Sequence, residues 1–444
     1  MTTTYDPFHP KYFDEADLRQ EMTRVYDLCH GCRLCFKFCT AFPTLFAAVD
    51  RHDDQDVAKL TVAEQDQVVD ECFNCKLCYV NCPYIPGQHD WALDFPRLML
   101  RAEQVLHRER PRPLSVRITD QALGRADLAG KAGTRLAPVV NQVVTKPGSP
   151  GRKLLEKVTG IASQRVLPPY TRQRFSTWWR KRQPLRFGRE RRQGSALLFP
   201  TCVVEYQASQ IGRDLVQVLE RNRIDCDLPA GQTCCGAPWL HSGDVDSFRR
   251  QARTNVKVLA DAIRAAEAAG DDPAVVVPQP TCSYVLKFDY VAYLEGKEGD
   301  DAQLVASRTY DAAEYLMKVH KGEGTELDRT FTGEVPAEVT YHAPCHLRAQ
   351  NIGLRSRDLI KLTGAKVAVV AECSGIDGTW GYRAENYDAS RKVARKMAGA
   401  IERAGGDVVV GDCHLANGGI VQETGRTPQH PLSTLARAYG IPED

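Results

Sequence analysis

Eight of the sixteen cysteines fall between Cys29 and Pro83, and their spacing limits what this chain can fold into more than any other feature. Cys29, Cys32, Cys35 and Cys39 follow a C-x2-C-x2-C-x3-C pattern. Cys72, Cys75, Cys78 and Cys82 repeat it, with Pro83 directly after. Three closely spaced thiolates can cap three irons of a cubane, and a more distant one reaches the fourth; in two-cluster ferredoxins that distant cysteine serves the other cluster. The spacing therefore predicts one [4Fe-4S] cluster on Cys29, Cys32, Cys35 and Cys82 and a second on Cys72, Cys75, Cys78 and Cys39. Zinc and disulfides are the competing readings, although zinc sites use pairs of C-x2-C rather than two four-cysteine runs ending in x3.

The 32 residues between Cys39 and Cys72 are too many for a compact β-type bacterial ferredoxin. An all-α two-cluster ferredoxin domain over 1–107 is expected instead, with clusters at the ends of short helices. Leu18, Met22, Val25 and Leu28 recur at helical spacing and lead into Cys29. Residues 55–71 read as a second helix with Val57, Leu60, Val68 and Val69 buried. A third follows Pro86, carrying Leu93, Leu98, Leu100 and Leu106.

At 444 residues the chain has room for two or three domains, and its 43% hydrophobic and 26% charged content is that of a globular protein. No run of about 18 apolar residues occurs, so no membrane-spanning helix is expected. Met1–Leu18 lacks an apolar core behind a basic start, so a secretory signal is not expected either. Many cysteines without such a signal point to metal-bound, reduced thiols in the cytoplasm.

The net charge of +2 hides an asymmetry: residues 97–192 hold 23 Lys/Arg against 6 Asp/Glu, and both flanks are acidic. Residues 108–194 read as a basic amphipathic helical linker. One or two helices are expected over 120–144, and a further segment ends in Trp178 and Trp179 beside Arg180, Lys181 and Arg182. Indoles suit a membrane–water interface and the cations suit anionic headgroups, which gives peripheral contact with the inner face of the cell membrane as one reading. A solvated linker packing a few apolar residues on its neighbours is the other. With no nucleic-acid motif present, that class of partner is not expected.

From Ser195 short apolar runs alternate with helical stretches: SALLFP, AVVVP (274–278), VTYHAP (339–344), AKVAVVAE (365–372) and DVVVGD (407–412). Helices are expected at 211–219, 244–268, 349–362 and 384–404. This alternation predicts parallel sheets covered on both faces, in two halves over 195–330 and 331–444. The cysteines repeat with the strands: Cys202 with Cys345, Cys234-Cys235-Gly236 with Cys373-Ser374-Gly375, and Cys282 with Cys413. Cysteines at the carboxyl ends of parallel strands converge on the crevice where such sheets bind ligands. Cys226, in the apolar IDCDLP, fits no set and reads as a buried core thiol.

Together the two ferredoxin runs, TCCGAP (233–238), PTCSY (280–284), HAPCH (342–346), CSGIDGTWG (373–381) and GDC (411–413) resemble CCG-domain iron–sulfur proteins. These include heterodisulfide reductase subunits and iron–sulfur subunits of glycolate- and lactate-oxidising enzymes. Along nearly the whole chain the sequence is similar to the C-subunit family of anaerobic glycerol-3-phosphate dehydrogenase. The resemblance implies an electron-transfer role between a redox partner, such as a flavin dehydrogenase, and membrane quinone or another acceptor.

It also implies a metal site in each half, but with departures. The fullest module binds a non-cubane cluster through C…CC…C-x-x-C. Here Val285 replaces the last cysteine of the first half, leaving Cys202, Cys234, Cys235 and Cys282 for a third cluster or zinc. In the second half Ser374 and Ala416 replace two, leaving Cys345, Cys373 and Cys413 with His346 and His414 alongside; three thiolates and an imidazole can hold a metal, and a vestigial half without one is the competing reading. The losses argue against heterodisulfide reduction. No G-x-G-x-x-G follows a strand and no P-loop occurs, so NAD, FAD and ATP sites are not expected. The alternative is a self-contained oxidoreductase reducing a small disulfide, quinone or peroxide-related acceptor, with His241, His346 or His414 as its acid.

Overall fold

A computed structural model describes residues 5–188, 190–376 and 379–442. The first third is helical. The helix Glu15–Cys32 starts at Asp14, whose side chain accepts the Asp17 amide, and buries Leu18, Met22, Val25 and Tyr26. It carries Cys29 and Cys32 in its last turns and stops at Arg33, which is left-handed (φ 52°) and returns its N–H to Cys29.

The stretch 55–71 is not one helix. A 3-10 turn, Val57–Lys59, is separated from the helix Val62–Asp70 by Leu60 and Thr61. Thr61 and Glu64 form a reciprocal capping box that satisfies two amides and starts the helix there. Val57, Leu60, Val68 and Val69 are nonetheless all buried, in one core with Leu18, Met22 and the helix Phe95–Glu109.

Among the described residues seven strands form two parallel sheets. β1 (Gly194–Leu198), β2 (Ile224–Asp227), β3 (Pro273–Val277) and β4 (Thr309–Asp311) lie in the order β2-β1-β3-β4. β5 (Glu338–His342), β6 (Lys366–Val370) and β7 (Val408–Gly411) lie in the order β6-β5-β7. The first strand of each sheet thus sits between the next two. In the first sheet Leu197, Val275 and Val277 face one core, while Ala196, Leu198, Ala274 and Val276 face another. Burial on both faces explains why these strands read as continuous apolar runs rather than alternating ones.

β2 and β4 have no counterpart in the expected strands. The 349–362 stretch is two helices, Cys345–Ala349 and Arg355–Lys361, parted at Asn351 (φ 54°) and Gly353 (φ 78°). Cys226 lies in β2 fully buried, and burial pushes its thiol up.

The basic middle packs as a strap. Three helices, Leu114–Gly124, Ala126–Arg135 and Ala137–Val144, occupy the stretch expected to hold one or two, followed by Pro150–Thr159 and Phe175–Lys181. Arg152, fully buried, donates to the carbonyls of Val144, Ala162 and Arg165. Arg165 donates to the Ser390 hydroxyl in the helix Tyr387–Ala404 of the second half at 2.8 Å. Trp178 and Trp179 pack against the first sheet's outer core, with the Arg182 guanidinium 5.3 and 4.8 Å from their ring centroids. Among the described residues this region exposes the apolar side chains of Leu114, Leu128, Leu136, Val139, Leu154 and Val158, with Ile118, Val143 and Leu185 exposed as well. Among the described residues no helix is long and apolar enough to cross a membrane.

Candidate metal centres

The eight ferredoxin-type cysteines fall into two neighbourhoods. Burial pushes the Cys29 thiol well up, and the next causes are Cys35, Cys82 and Cys32. Cys39 is raised by burial and then by Cys72 and Cys75; Cys78 is raised by burial and then by Cys75, Cys72 and Cys39. Thiols gathered this way repel one another once ionised, and a multiply charged cation between them relieves the repulsion. The fourth cysteine of each run is among the other run's first three, as an interleaved pair of clusters needs.

The loops also carry three left-handed non-glycine residues: Arg33 (φ 52°), Asn74 (φ 49°) and Lys76 (φ 62°). Such residues let successive amide N–H groups converge on an anionic centre, as at many Fe–S sites. Among the described residues no three His, Cys or carboxylate side chains converge on one point as a single ion requires. A cubane does not ask for that, because each thiolate binds its own iron. By chemistry and grouping, the residues present fit two [4Fe-4S] clusters.

Cys202, Cys234, Cys235 and Cys282 form one set at the carboxyl ends of β1, β2 and β3. Cys202 follows Thr201, itself left-handed (φ 67°), and its sulfur lies 3.9 Å from that of Cys234. Hydrogen bonds from Cys202 and Cys235 pull the Cys234 thiol down, while Cys202 and Cys235 are pushed up.

The double-cysteine turn is held from three directions. Asp127 of the strap accepts the Cys234 amide at 2.8 Å. Asn255, fully buried, accepts the Thr233 amide at 2.8 Å and donates to the Cys234 carbonyl at 3.1 Å. The Tyr290 hydroxyl donates to the Cys235 carbonyl at 2.9 Å. Gly236 closes the turn at φ 88°, with the Phe248 ring where a Cβ would go. Val285, in the place of the missing cysteine, is a core residue at 1% exposure.

The reduced second half is not remote. Cys345, Cys373 and Cys413 line one small pocket together with Cys75, Phe38 and Phe73 of the ferredoxin loops. Ser374 and Ala416 line it too. Phe73 packs against Trp380 with ring centroids 4.5 Å apart and planes tilted by 51°, and the Trp380 indole donates to the Asp70 carbonyl at 2.7 Å. Burial pushes Cys413 up to about 11, and Cys282 of the first half is among its electrostatic neighbours. The second ferredoxin loop thus borders the second half directly, and the second half lies in the electrostatic field of the first. Two residues of the CSGIDGTWG motif, 377 and 378, lie outside the described residues.

The three candidate acids are all held neutral. Burial pushes His346 down to about 3 and His414 to about 4, and His241 falls well below its usual range through burial and the nearby Lys76. Asp127, Asn255, Tyr290, Phe73 and Lys76 carry no signal in the sequence. Each is an ordinary residue type whose role appears only through a long-range contact.

On the outer side of the first half a cleft of about 300 Å³ opens beside Cys202. Lys131, Arg174 and Trp179 line it, with Gln232 and Tyr206 on the opposite wall.

The sequence matches the family described as Cysteine-rich domain, CCG, over residues 196–287 and again over 339–415, so the chain carries CCG cysteine-rich sequence in both sheet regions. It is 29% identical over 320 residues to the C-subunit of anaerobic glycerol-3-phosphate dehydrogenase from Escherichia coli, covering 71% of this chain and 76% of that one. It is also 28% identical over 239 residues to lactate utilization protein A of Shouchella clausii, covering 52% and 92%. The corresponding protein of Geobacillus kaustophilus is 26% identical over 239 residues, again covering 52% and 92%.

Proposed function

We propose that this chain is an iron–sulfur electron-transfer subunit. Cys29, Cys32, Cys35 and Cys82 would hold one [4Fe-4S] cluster and Cys72, Cys75, Cys78 and Cys39 the other. Cys202, Cys234, Cys235 and Cys282 would hold a third cluster rather than zinc, since among the described residues no three side chains converge as a single ion requires, and Cys345, Cys373 and Cys413 a weaker site in what we read as a duplicated, partly degraded half. The observation that carries the reading is the continuity of thiols: Cys75 shares a pocket with Cys345, Cys373 and Cys413, and Cys413 neighbours Cys282. When bound, the clusters supply one-electron carriers. The protein excludes water from the route, fixes the order of the sites, and leaves Cys32 exposed at one end and a cleft beside Cys202 at the other.

The partner we infer is a flavin dehydrogenase, with quinone or another acceptor downstream. The similarity to one component of a glycerol-3-phosphate dehydrogenase supports a multi-subunit setting. Purification of the native complex tests this: a co-purifying flavoprotein that reduces the chain's clusters on substrate addition is expected. Turnover by the isolated chain without such a partner would refute it.

One observation favours a second reading, a self-contained oxidoreductase. The cleft at Cys202 would let a small disulfide, quinone or peroxide-related acceptor approach the first-half site directly.

Peripheral contact with an anionic membrane is part of the first reading, carried by residues other than those the sequence pointed to. The tryptophan pair is packed inward, and Leu114, Leu128, Leu136, Val139, Leu154 and Val158 lie exposed on a strap rich in Lys and Arg. Replacing Leu128, Leu136 and Leu154 with Ser should weaken binding to anionic liposomes. Unchanged binding would remove this element.

A further inference from the structure

One side chain stands where the three parts of the molecule meet. Lys76 lies between Cys75 and Cys78, and its left-handed backbone turns the side chain out of the cysteine loop into the seam between the two sheets. It is 4% exposed. Its Nζ donates to the Asn74 carbonyl at 2.9 Å and lies 3.4 Å from His241 Nε2 and 3.3 Å from His346 Nε2. The Tyr284 ring centroid is 5.1 Å away.

Each of these neighbours adjoins a different cysteine set. His241 ends the helix Ala237–His241 that follows Cys234-Cys235-Gly236; Tyr284 is two residues past Cys282; His346 is next to Cys345. His346 Nε2 is also 3.1 Å from the Asn74 carbonyl, and its Nδ1 is 2.9 Å from Thr281 Oγ1. The contacts of the Lys76 ammonium are thus a carbonyl, two imidazoles and a ring face rather than a carboxylate.

Burying an ammonium without a carboxylate in direct contact is costly, so packing alone gives no reason for a lysine here. The counter-charges stand one layer off. Asp289 is buried at the end of a short π-helical turn, Val285–Asp289; burial pushes its carboxyl up, and Lys76 and then Arg97 act against that by favouring its charged form. Its Oδ2 has no hydrogen-bond partner among the described residues. π-turns are rare and recur at functional sites. Asp94 lies in the same field.

We propose that Lys76 is a positioning residue for electron transfer. Its positive charge, set beside the Cys72, Cys75, Cys78 and Cys39 cluster, favours that cluster's reduced form, while its contacts tie the cysteine loop to both cysteine-rich halves. The inference rests on the cluster assignment above. Net charge and hydrogen bonding around a cluster set its potential, and each reduction adds one negative charge that a neighbouring ammonium stabilises. Asp289 opposes it with the other sign.

The test is a redox titration of the anaerobically purified full chain, followed by electron paramagnetic resonance, for the wild type, Lys76→Met and Asp289→Asn. Lys76→Met should lower the midpoint potential of one cluster and leave the other unmoved, and Asp289→Asn should raise the potential of that same cluster. A loosened seam would move both variants in one direction. Unchanged potentials in iron-replete Lys76→Met, or shifts of equal sign in the two variants, would overturn the proposal. If Lys76→Met fails to load iron, Asp289→Asn decides: a rise supports the proposal and its absence refutes it. Absence of any cubane signal in the wild type would instead refute the cluster assignment, and this proposal with it.

Discussion

Removing the Asn255 side chain should uncouple the double-cysteine turn from the rest of the first sheet. Asn255 accepts the Thr233 amide and donates to the Cys234 carbonyl, with its amide nitrogen also 2.9 Å from the Tyr290 hydroxyl. Asn255→Ala leaves one backbone donor and one backbone acceptor buried without partners, at about 1–3 kcal/mol each, plus a small cavity; the expected loss is about 4 kcal/mol. Tyr290→Phe removes the bond to the Cys235 carbonyl and the one received from Asn255, leaves every backbone bond of Asn255 in place, and should cost about 1–2 kcal/mol. Because the two side chains share one network, the double variant should lose less than the sum. Urea denaturation of the three variants reads the stabilities, and metal analysis reads the site. Metal assigned to Cys202, Cys234, Cys235 and Cys282 should fall while iron in the ferredoxin loops is retained. A loss below about 1 kcal/mol in Asn255→Ala, or one no greater than that of Tyr290→Phe, would refute the reasoning.

Three further outcomes are expected. His430 caps the helix Pro431–Ala438 by accepting the Leu432 amide at Nδ1 while Nε2 faces the Pro278 carbonyl, and burial pushes it down to about 3. A folded value below the unfolded one of about 6.5 means stability that is present above pH 6.5 and lost as the pH falls, about 2 kcal/mol by pH 5; urea melts of His430→Gln should show a flatter acid limb. Gly236→Ala should cost at least about 2 kcal/mol by the same assay, from its positive φ and a Cβ 2.9 Å from the Phe248 ring, and a near-neutral result would contradict the turn described. Trp380→Phe gives up the bond to the Asp70 carbonyl but keeps the packing against Phe73, so a loss of about 1 kcal/mol is expected, against about 3 for Trp380→Ala.

What the sequence disclosed was whatever depends on short separations. Cysteine spacing is a local property, and it grouped the thiols that the fold brings near one another. The inner strands showed because burial on two faces demands unbroken apolar runs. β2, with Asp225 and Asp227 flanking Cys226, and the three-residue β4 carry too little apolar sequence to stand out. The break before Val62 was legible in principle, since Thr61-x-x-Glu64 is a capping-box signature, but the longer hydrophobic stripe masked it.

Facing was the harder problem. An amphipathic segment does not say what its apolar side covers, and Trp178 and Trp179 turn inward because Phe175, Arg182 and Arg213 are there to receive them. Lys76 was beyond reach altogether, because its contacts with His241 and His346 span 165 and 270 residues of chain.

Everything proposed for the electron route depends on the two interleaved clusters. Iron and acid-labile sulfide should be quantified on anaerobically purified protein, beside a variant in which Cys29, Cys32, Cys35 and Cys82 are all Ser. About eight irons per chain are predicted from the ferredoxin loops, with about four lost in the variant while the second cluster's signal survives. Zinc in place of iron, or loss of both clusters' signals from a variant that remains folded, would contradict it.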